Sequence, residues 1–448
     1  MRILVLQFVP RVRQKRAPRF EPQLGVLLSL LRQRGHELSL LGVTEYDEPA
    51  LKRALADALP QLIYADISAV CVNAAQRCLQ YISQHEFLPI VGGGELATLD
   101  PEACLSLPGV QAAALGEPDA SLVTYLERTK DPAIRQIVRG IWLRDERGLE
   151  RPALPPLVED LDSLPQAERE LFGYQDVVAA TGQIEIAVGR GCPQRCGYCP
   201  LPTVAQLYSD AAPWVRRRSP DNVLDEIDRL RSTYSPVRLV RFLDHAFTLD
   251  AAWLEAFLDA YQQRCDVPFR CHCRANRCDE ALARRLASAG CAMADVEVIS
   301  ASDFIRNEIF AMDLSREQID ACFSALRAAN IRTRAIVYAG APYESEASLD
   351  EIPALLRAIA PDLVDVRPYY PFPGTAGRET ARENGWLHAG GEEQFHRGET
   401  GLNIPACRPQ RVHALVRRVR REFPTELAEP WWRRASRSAL TQFFTRRR

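Results

Sequence analysis

The sequence predicts an α/β protein: a doubly wound parallel sheet, then an open, partial (β/α)6 barrel, then a small irregular or helical C-terminal region. Two observations lead there. Short apolar runs alternate with amphipathic stretches over residues 3–128, and the same alternation restarts at Ile184 and continues to Tyr369. The second series has six strand–helix units, too few to close an eight-stranded barrel. Size sets the frame, since 448 residues, 47% hydrophobic and 25% charged, suit two or three globular domains.

In the first series the predicted strands are Ile3–Phe8, Glu37–Leu41, Ile67–Val72, Leu88–Val91 and Gln111–Leu115. Leu24–Leu31 and Pro49–Leu59 carry helical apolar spacing between them. Gly92-Gly93-Gly94 follows the fourth run and Gly116-Glu117-Pro118 the fifth. Ligands of open α/β sheets sit at the carboxyl ends of strands, where glycine lets the backbone approach; turns use the same glycines. A small hairpin and a Pro-rich, acidic strap with little core are expected in the connector.

The second series gives strands at Ile184–Gly189, Arg238–Leu243, Val267–Cys273, Ala294–Ser300, Arg334–Gly340 and Leu363–Tyr369. Helical patterns at Pro220–Ser232, Ala251–Gln263, Asp279–Ala289 and Arg316–Ala329 separate them. Beyond residue 376 the pattern turns irregular. Expected domains are therefore 1–130, a connector 131–180, a barrel 181–376 and a C-terminal region 377–448. From residue 411 onward eleven arginines meet three glutamates, with Trp431, Trp432, Phe443 and Phe444 among them. A terminal helix with solvated arginines and docked aromatics fits this pattern better than an RNA-stacking surface.

A formal charge of -2 argues against a nucleic-acid binder, and no run approaches the ~20 apolar residues of a membrane span. Thirteen cysteines, an odd number spread along a long chain, argue against a secreted disulfide framework. Reduced thiols in a cytoplasm, some of them metal ligands, are expected instead. The strongest local signal is GRGCPQRCGYCP, where Cys192, Cys196 and Cys199 form a C-x3-C-x2-C triplet directly after an apolar strand. Three converging thiolates suit iron–sulfur or zinc. Zinc would call for a fourth ligand nearby, whereas a triplet leaves one iron of a four-iron cluster open.

With Tyr198 before its last cysteine, this loop resembles the cluster motif of the radical S-adenosylmethionine (SAM) superfamily. The resemblance implies a [4Fe-4S] cluster on Cys192, Cys196 and Cys199, and SAM bound at the open iron. It also implies reductive cleavage of SAM to a 5′-deoxyadenosyl radical by an external one-electron reductant. RFLDHAFTLD resembles the family's second-strand segment, which makes Asp244 the candidate for the SAM ammonium. VEVISASDFIRNEIF resembles the fourth-strand G-I-E-S-G-S segment, with Glu297, Ile299 and Ala301 as departures and Ser300 and Ser302 retained. YAGAPYES resembles the fifth-strand turn. The SAM-site candidates are thus Tyr198, Asp244, Ser300 and Tyr338.

YYPFPGT resembles the signature of a branch that carries an N-terminal Rossmann-like, flavodoxin-like cobalamin domain. FEPQLGVLLSLLRQRGHEL, VGGGELATLDPE and LGEPDAS are similar to segments of that domain. The implied cobalamin contacts are Leu24, Gly25, Asn73, Gly92, Gly93, Gly94, Gly116 and Glu117. No Asp-x-His-x-x-Gly motif is present, so no histidine of that kind would ligate cobalt. Among the other cysteines, Cys265, Cys271, Cys273 and Cys278 are close enough in sequence to suggest an auxiliary cluster, a minority reading, because Cys271 and Cys273 share one strand face, which could be the barrel interior, while Cys265 precedes the strand and Cys278 follows it. His245 and His272 are candidate acid–base groups.

What the resemblance implies is a cobalamin-dependent methyltransferase acting at an unactivated carbon through a 5′-deoxyadenosyl radical and methylcobalamin. The expected substrate is a small molecule, lipid or peptide. A radical cyclase or rearrangement enzyme, a methylthiotransferase on RNA or protein, and a non-enzymatic iron–sulfur module are the alternatives.

Overall fold

The computed structural model describes residues 1–10, 18–128, 137–145, 148–208 and 213–425. The first sheet has seven strands: β1 (Arg2–Phe8), β2 (Glu37–Val43), β3 (Leu62–Ile67), β4 (Ile90–Gly93), β5 (Val110–Ala114), β6 (Ile141–Asp145) and β7 (Gly148–Glu150). Their order is β2-β1-β3-β4-β5-β6-β7. The first five pair in parallel, β5–β6 and β6–β7 antiparallel. β1 buries every residue from Ile3 to Phe8 because neighbours flank it on both sides and helices cover both faces. The order reverses between β1 and β3, the switch point where doubly wound sheets bind ligands.

Two expectations change here. The third strand is Leu62–Ile67, not Ile67–Val72: β1 offers partners only from Ile3↔Leu62 to Phe8↔Ile67, and Val72 opens the helix Val72–His85. The connector also holds more core than its composition suggests. Its hairpin extends the first sheet, and Leu157, Leu161, Phe172 and Tyr174 are buried. Its strap crosses the helix Pro22–Gln33 at Gly25, whose carbonyl accepts the Glu168 amide at 2.9 Å.

The second sheet begins with β8 (Gln183–Ile186). After it come the two-residue strands β9 (Gly189–Arg190) and β10 (Arg216–Arg217), which pair with each other. It continues with β11 (Leu239–Phe242), β12 (Phe269–Cys273), β13 (Cys291–Ile299), β14 (Arg332–Ala339) and β15 (Leu363–Pro368). All six strands of this sheet are parallel and lie in chain order, with β8 and β15 as the edges, so it forms a partial barrel. Helices start where side chains supply a cap: Ser219 for Pro220–Thr233, Asp250 for Ala251–Arg264, Asp279 for Glu280–Ser288, and a Ser315/Gln318 capping box for Arg316–Ala328.

The alternation within these strands sends apolar residues outward and polar ones inward. Phe242 meets Phe257 and Tyr261 of the Ala251–Arg264 helix edge-on, and Phe269 meets Tyr261 in the same way. On the other face Arg241 pairs with Glu185, and the buried Asp295 holds Arg270 and Arg334 at 2.7 and 2.9 Å. The barrel interior is therefore a charged, paired lumen.

Beyond residue 376 there is more order than the irregular pattern suggests. Helices Ala376–Glu383, Gly391–His396 and Pro409–Glu422 follow, and the last buries Val412, Leu415, Val416 and Val419. Arg411 of that helix faces Asp350 at 3.2 Å. Trp431, Trp432, Phe443 and Phe444 lie outside the described residues. No helix among the described residues is long and apolar enough to cross a membrane.

A buried ion cluster joins the two sheets. Glu117, just past β5, receives Arg190 of β9 at 2.7 Å and also Arg216 of β10, and Arg190 pairs with Asp119 as well. Replacing Arg190 by Met leaves two buried carboxylates without their shared cation. This substitution is expected to lower the unfolding free energy of the metal-free chain by about 3–5 kcal/mol, read by urea denaturation.

Candidate functional site

The cysteine triplet sits in a clamped loop at the carboxyl end of β8. Asp244, past β11, accepts the Val188 amide at 2.7 Å and so aims the chain out of β8. Gly191 has φ +83°, and a side chain there would collide with the Trp214 carbonyl. Trp214 in turn donates its indole N–H to the Cys192 carbonyl at 3.1 Å. Gly197 lies flat against a π-helical turn, Ile305–Ile309: its amide donates to Phe310 O at 2.8 Å and its carbonyl accepts from Gly377 at 3.0 Å. Cys196 is buried while Cys192 and Cys199 are half-buried, and burial pushes the Cys199 thiol up to about 12. Metal uptake by this loop thus releases protons.

Tyr198 turns into the lumen. Its hydroxyl donates to Glu297 Oε2 at 3.1 Å, and its ring meets Phe310 and Tyr338 edge-on, with centroids 5.4 and 5.7 Å away. Glu297 is the hub of the lumen's upper end. It also receives Arg274 at 3.0 Å and the Nδ1 of His245, and Arg274 approaches Cys196 Sγ at 3.8 Å. A register shift separates Glu297 from Ile299, which has φ +66°, a strained value for a β-branched residue. That irregularity ends β13 and sends Ser300 to the bottom of the following turn. There its carbonyl accepts from Arg306 at 2.7 Å and its hydroxyl from the Ser302 amide at 3.2 Å.

Charge sets the protonation states. Burial opposes ionisation of Glu297, yet His245, His272 and Arg274 hold its carboxyl down at about 2. The protein wall beside His245 opposes its charge although the ring's outer side is open to solvent, but the Glu297 carboxylate outweighs that desolvation and raises the imidazole above its ordinary value. The His272 ring lies 4.2 Å from that of His245, centroid to centroid and tilted by 37°; burial first, then His245, pushes its pKa down to about 3. A neutral His272 and a carboxylate-paired His245 thus lie side by side on the lumen wall.

Of the SAM-site candidates, Tyr198 and Tyr338 therefore share one wall, joined to His245 through Glu297. Asp244 is tied to the backbone leaving β8, and Ser300 supports a turn. Arg274 was missed in the sequence although the β12 alternation could have revealed it. The expectation for Cys271 and Cys273 is corrected. Period-two geometry places His272 and Arg274 in the lumen and both cysteines outside, where Cys271 Sγ lies 3.9 Å from Cys291 Sγ.

The N-terminal candidates gather along the carboxyl edge of the first sheet, but many of them serve packing. A side chain at Gly92 would strike Cys104, one at Gly93 the Tyr64 hydroxyl, and one at Gly25 the strap at Ala167. Leu24 is core beside that strap. Asn73 donates to Glu393 at 3.2 Å. Gly94 and Gly116 both have positive φ, and Glu117 belongs to the buried ion cluster. The same edge presents Asp66 on β3, raised to about 7 by burial and then by Glu21 and Glu95, and Glu95, which accepts from Ser68 and from the Ala69 amide at 3.0 Å each.

Residues 186–356 match the radical SAM superfamily. This segment is a radical SAM domain. The chain is 24% identical over 295 residues to cytidylyl-2-hydroxyethylphosphonate methyltransferase of Streptomyces wedmorensis, covering 52% of this chain and 54% of that protein. It thus spans about half the length of that curated relative. Its fold is similar to that of the radical SAM methyltransferase TsrM from Kitasatospora setae, solved with cobalamin and a [4Fe-4S] cluster bound. That similarity has a TM-score of 0.65 and 20% identity, over 87% of this chain and 79% of TsrM. It is similar too to the cobalamin-dependent SAM radical enzyme OxsB, solved with aqua-cobalamin and SAM bound, with a TM-score of 0.66 and 16% identity over 94% of this chain and 61% of OxsB.

Two outcomes follow from the electrostatics. Arg274→Gln removes the cation beside Cys196, so the reduction potential of a reconstituted cluster is expected to become more negative in an EPR-monitored titration. His272 refuses a proton in the folded chain that it accepts when unfolded. Native stability therefore falls as pH drops from about 6.5 towards about 3, and His272→Asn should lose less over that interval in thermal unfolding.

Proposed function

We propose that this protein is a cobalamin-dependent radical SAM methyltransferase that acts at an unactivated carbon of a small molecule, lipid or peptide. The observation that carries the reading is the joint between the two sheets. Glu117, at the carboxyl end of β5, is locked to Arg190 and Arg216 on the two strands that flank the cysteine loop, and its amide donates to Tyr208 just beyond that loop, at 2.7 Å. A cofactor seated on the carboxyl edge of the first sheet would therefore lie against whatever the cysteine loop holds.

The donor set fits both groups. Cys192, Cys196 and Cys199 would hold a [4Fe-4S] cluster, which supplies the single electron that cleaves SAM. Along the other edge, Asp66, Ser68 and Glu95 offer acceptors for the amide side chains of cobalamin, and the bound corrin would supply a transferable methyl group. Leu24, Gly25, Asn73, Gly92 and Gly93 shape that edge from beneath, in a domain proposed to span residues 1–130. Tyr198 and Tyr338 wall the SAM side of the lumen, and Arg274 places a cation beside Cys196. His245, oriented by Glu297, is the group positioned to take or give a proton at the substrate.

The test is anaerobic reconstitution of the full chain with iron, sulfide and hydroxocobalamin, followed by SAM and a low-potential reductant. Retained cobalamin together with 5′-deoxyadenosine and S-adenosylhomocysteine is the expected result, and Cys196→Ala should abolish the 5′-deoxyadenosine. A chain that makes 5′-deoxyadenosine but never retains cobalamin would overturn methyl transfer and favour a radical rearrangement.

A further inference from the structure

Outside the cluster loop the fold sorts the remaining cysteines in a way their spacing does not reveal. Cys265 lies beside Tyr261, and Cys104 fills the space above Gly92. Three others converge. Cys273 closes β12, Cys278 immediately precedes the cap of the Glu280–Ser288 helix, and Cys322 comes from the Arg316–Ala328 helix. All three are buried, and their sulfur atoms lie within 4.8 Å of one another. They sit on the outer, helix-facing side of the barrel wall, behind the strand whose inner side carries His272 and Arg274. Asn276, in the turn between Cys273 and Cys278, donates to Asp313 O at 2.9 Å and so ties this turn to the segment before the Arg316–Ala328 helix.

We propose that Cys273, Cys278 and Cys322 form a second, mononuclear thiolate site for a thiophilic d10 cation, zinc or copper(I). The spacing carries the nuclearity. A metal–sulfur distance of about 2.3 Å places the sulfurs of a three- or four-coordinate site roughly 3.8–4.0 Å apart, within the observed spread. A cubane holds its cysteines around several irons and so spreads them wider. Among the described residues no fourth His, Cys, Asp or Glu joins the group. Three buried sulfurs alone suit trigonal copper(I); zinc would need a small exogenous fourth ligand that enters with the ion. As each metal–sulfur bond forms, the thiol proton passes to solvent.

A bound ion would tie the end of β12 to two helices. Cys273 adjoins Arg274, whose guanidinium reaches Cys196, so the ion would brace the rim that carries this contact. The cluster loop itself contributes no ligand to the site.

The experiment uses the full chain with its cluster loop reconstituted anaerobically, so that Cys192, Cys196 and Cys199 are occupied and iron content reports on them separately. Zinc is added in one arm and buffered copper(I) in the other, excess is removed, and metals are counted by mass spectrometry. About one equivalent of zinc or of copper per chain above the iron is expected, and Cys322→Ser should reduce it at least tenfold with iron unchanged. Retention of neither metal, or equal retention by Cys322→Ser, overturns the proposal. Should that variant fail to fold, the parent chain decides. In mild urea the added ion must protect Cys273, Cys278 and Cys322 from alkylation, and equal labelling with and without metal overturns the site.

Discussion

The arrangement of this protein depends on one buried set of charges: Glu117 and Asp119 from the end of the first sheet, and Arg190 and Arg216 from the strands beside the cysteine loop. Ions removed from water are tolerated only when paired with good geometry, so these four side chains have few alternatives to one another. The paired arrangement fixes which edges of the two sheets meet. Glu117 follows the carboxyl end of β5 and Arg190 follows that of β8, so the joint brings carboxyl ends of the two sheets together. The strap reinforces the joint, since the Val158 carbonyl also accepts from Arg216 at 2.8 Å.

A second constraint acts inside the barrel. Its outer face is ordinary packing, while its lumen is lined by pairs and triads of opposite charge that leave few free ionic groups. Glu297 is held by Tyr198, His245 and Arg274 at once, which couples the cysteine loop, the end of β11 and the end of β12 in a single network. Groups coupled in this way titrate together. The neutral state of His272 and the ionised state of Glu297 are therefore properties of the network and not of either residue alone.

Much of the fold is legible in the chain because it rests on local rules. The alternation of apolar runs placed most strands within a few residues of their observed ends, and helical apolar spacing located the helices between them. The error at Ile67–Val72 arose because two apolar runs abut there, and only the length of β1 selects which of them pairs. The connector misled for a related reason. Its composition is that of a loop, yet its hairpin finds a free sheet edge and its strap finds the groove that Gly25 leaves open.

The sequence by itself determined the two α/β units and the cysteine triplet, because period-two and period-3.6 patterns and a three-thiol loop are written in neighbouring residues. Tertiary structure alone decided that Glu117 serves the joint and that Gly92, Gly93 and Gly25 serve packing. It also decided that Glu297 gathers the lumen and that Cys322 joins Cys273 and Cys278. The physical reason is the same in each case. These contacts form between residues far apart in the chain, and their partners are chosen by which faces the strands and helices present once the core has closed.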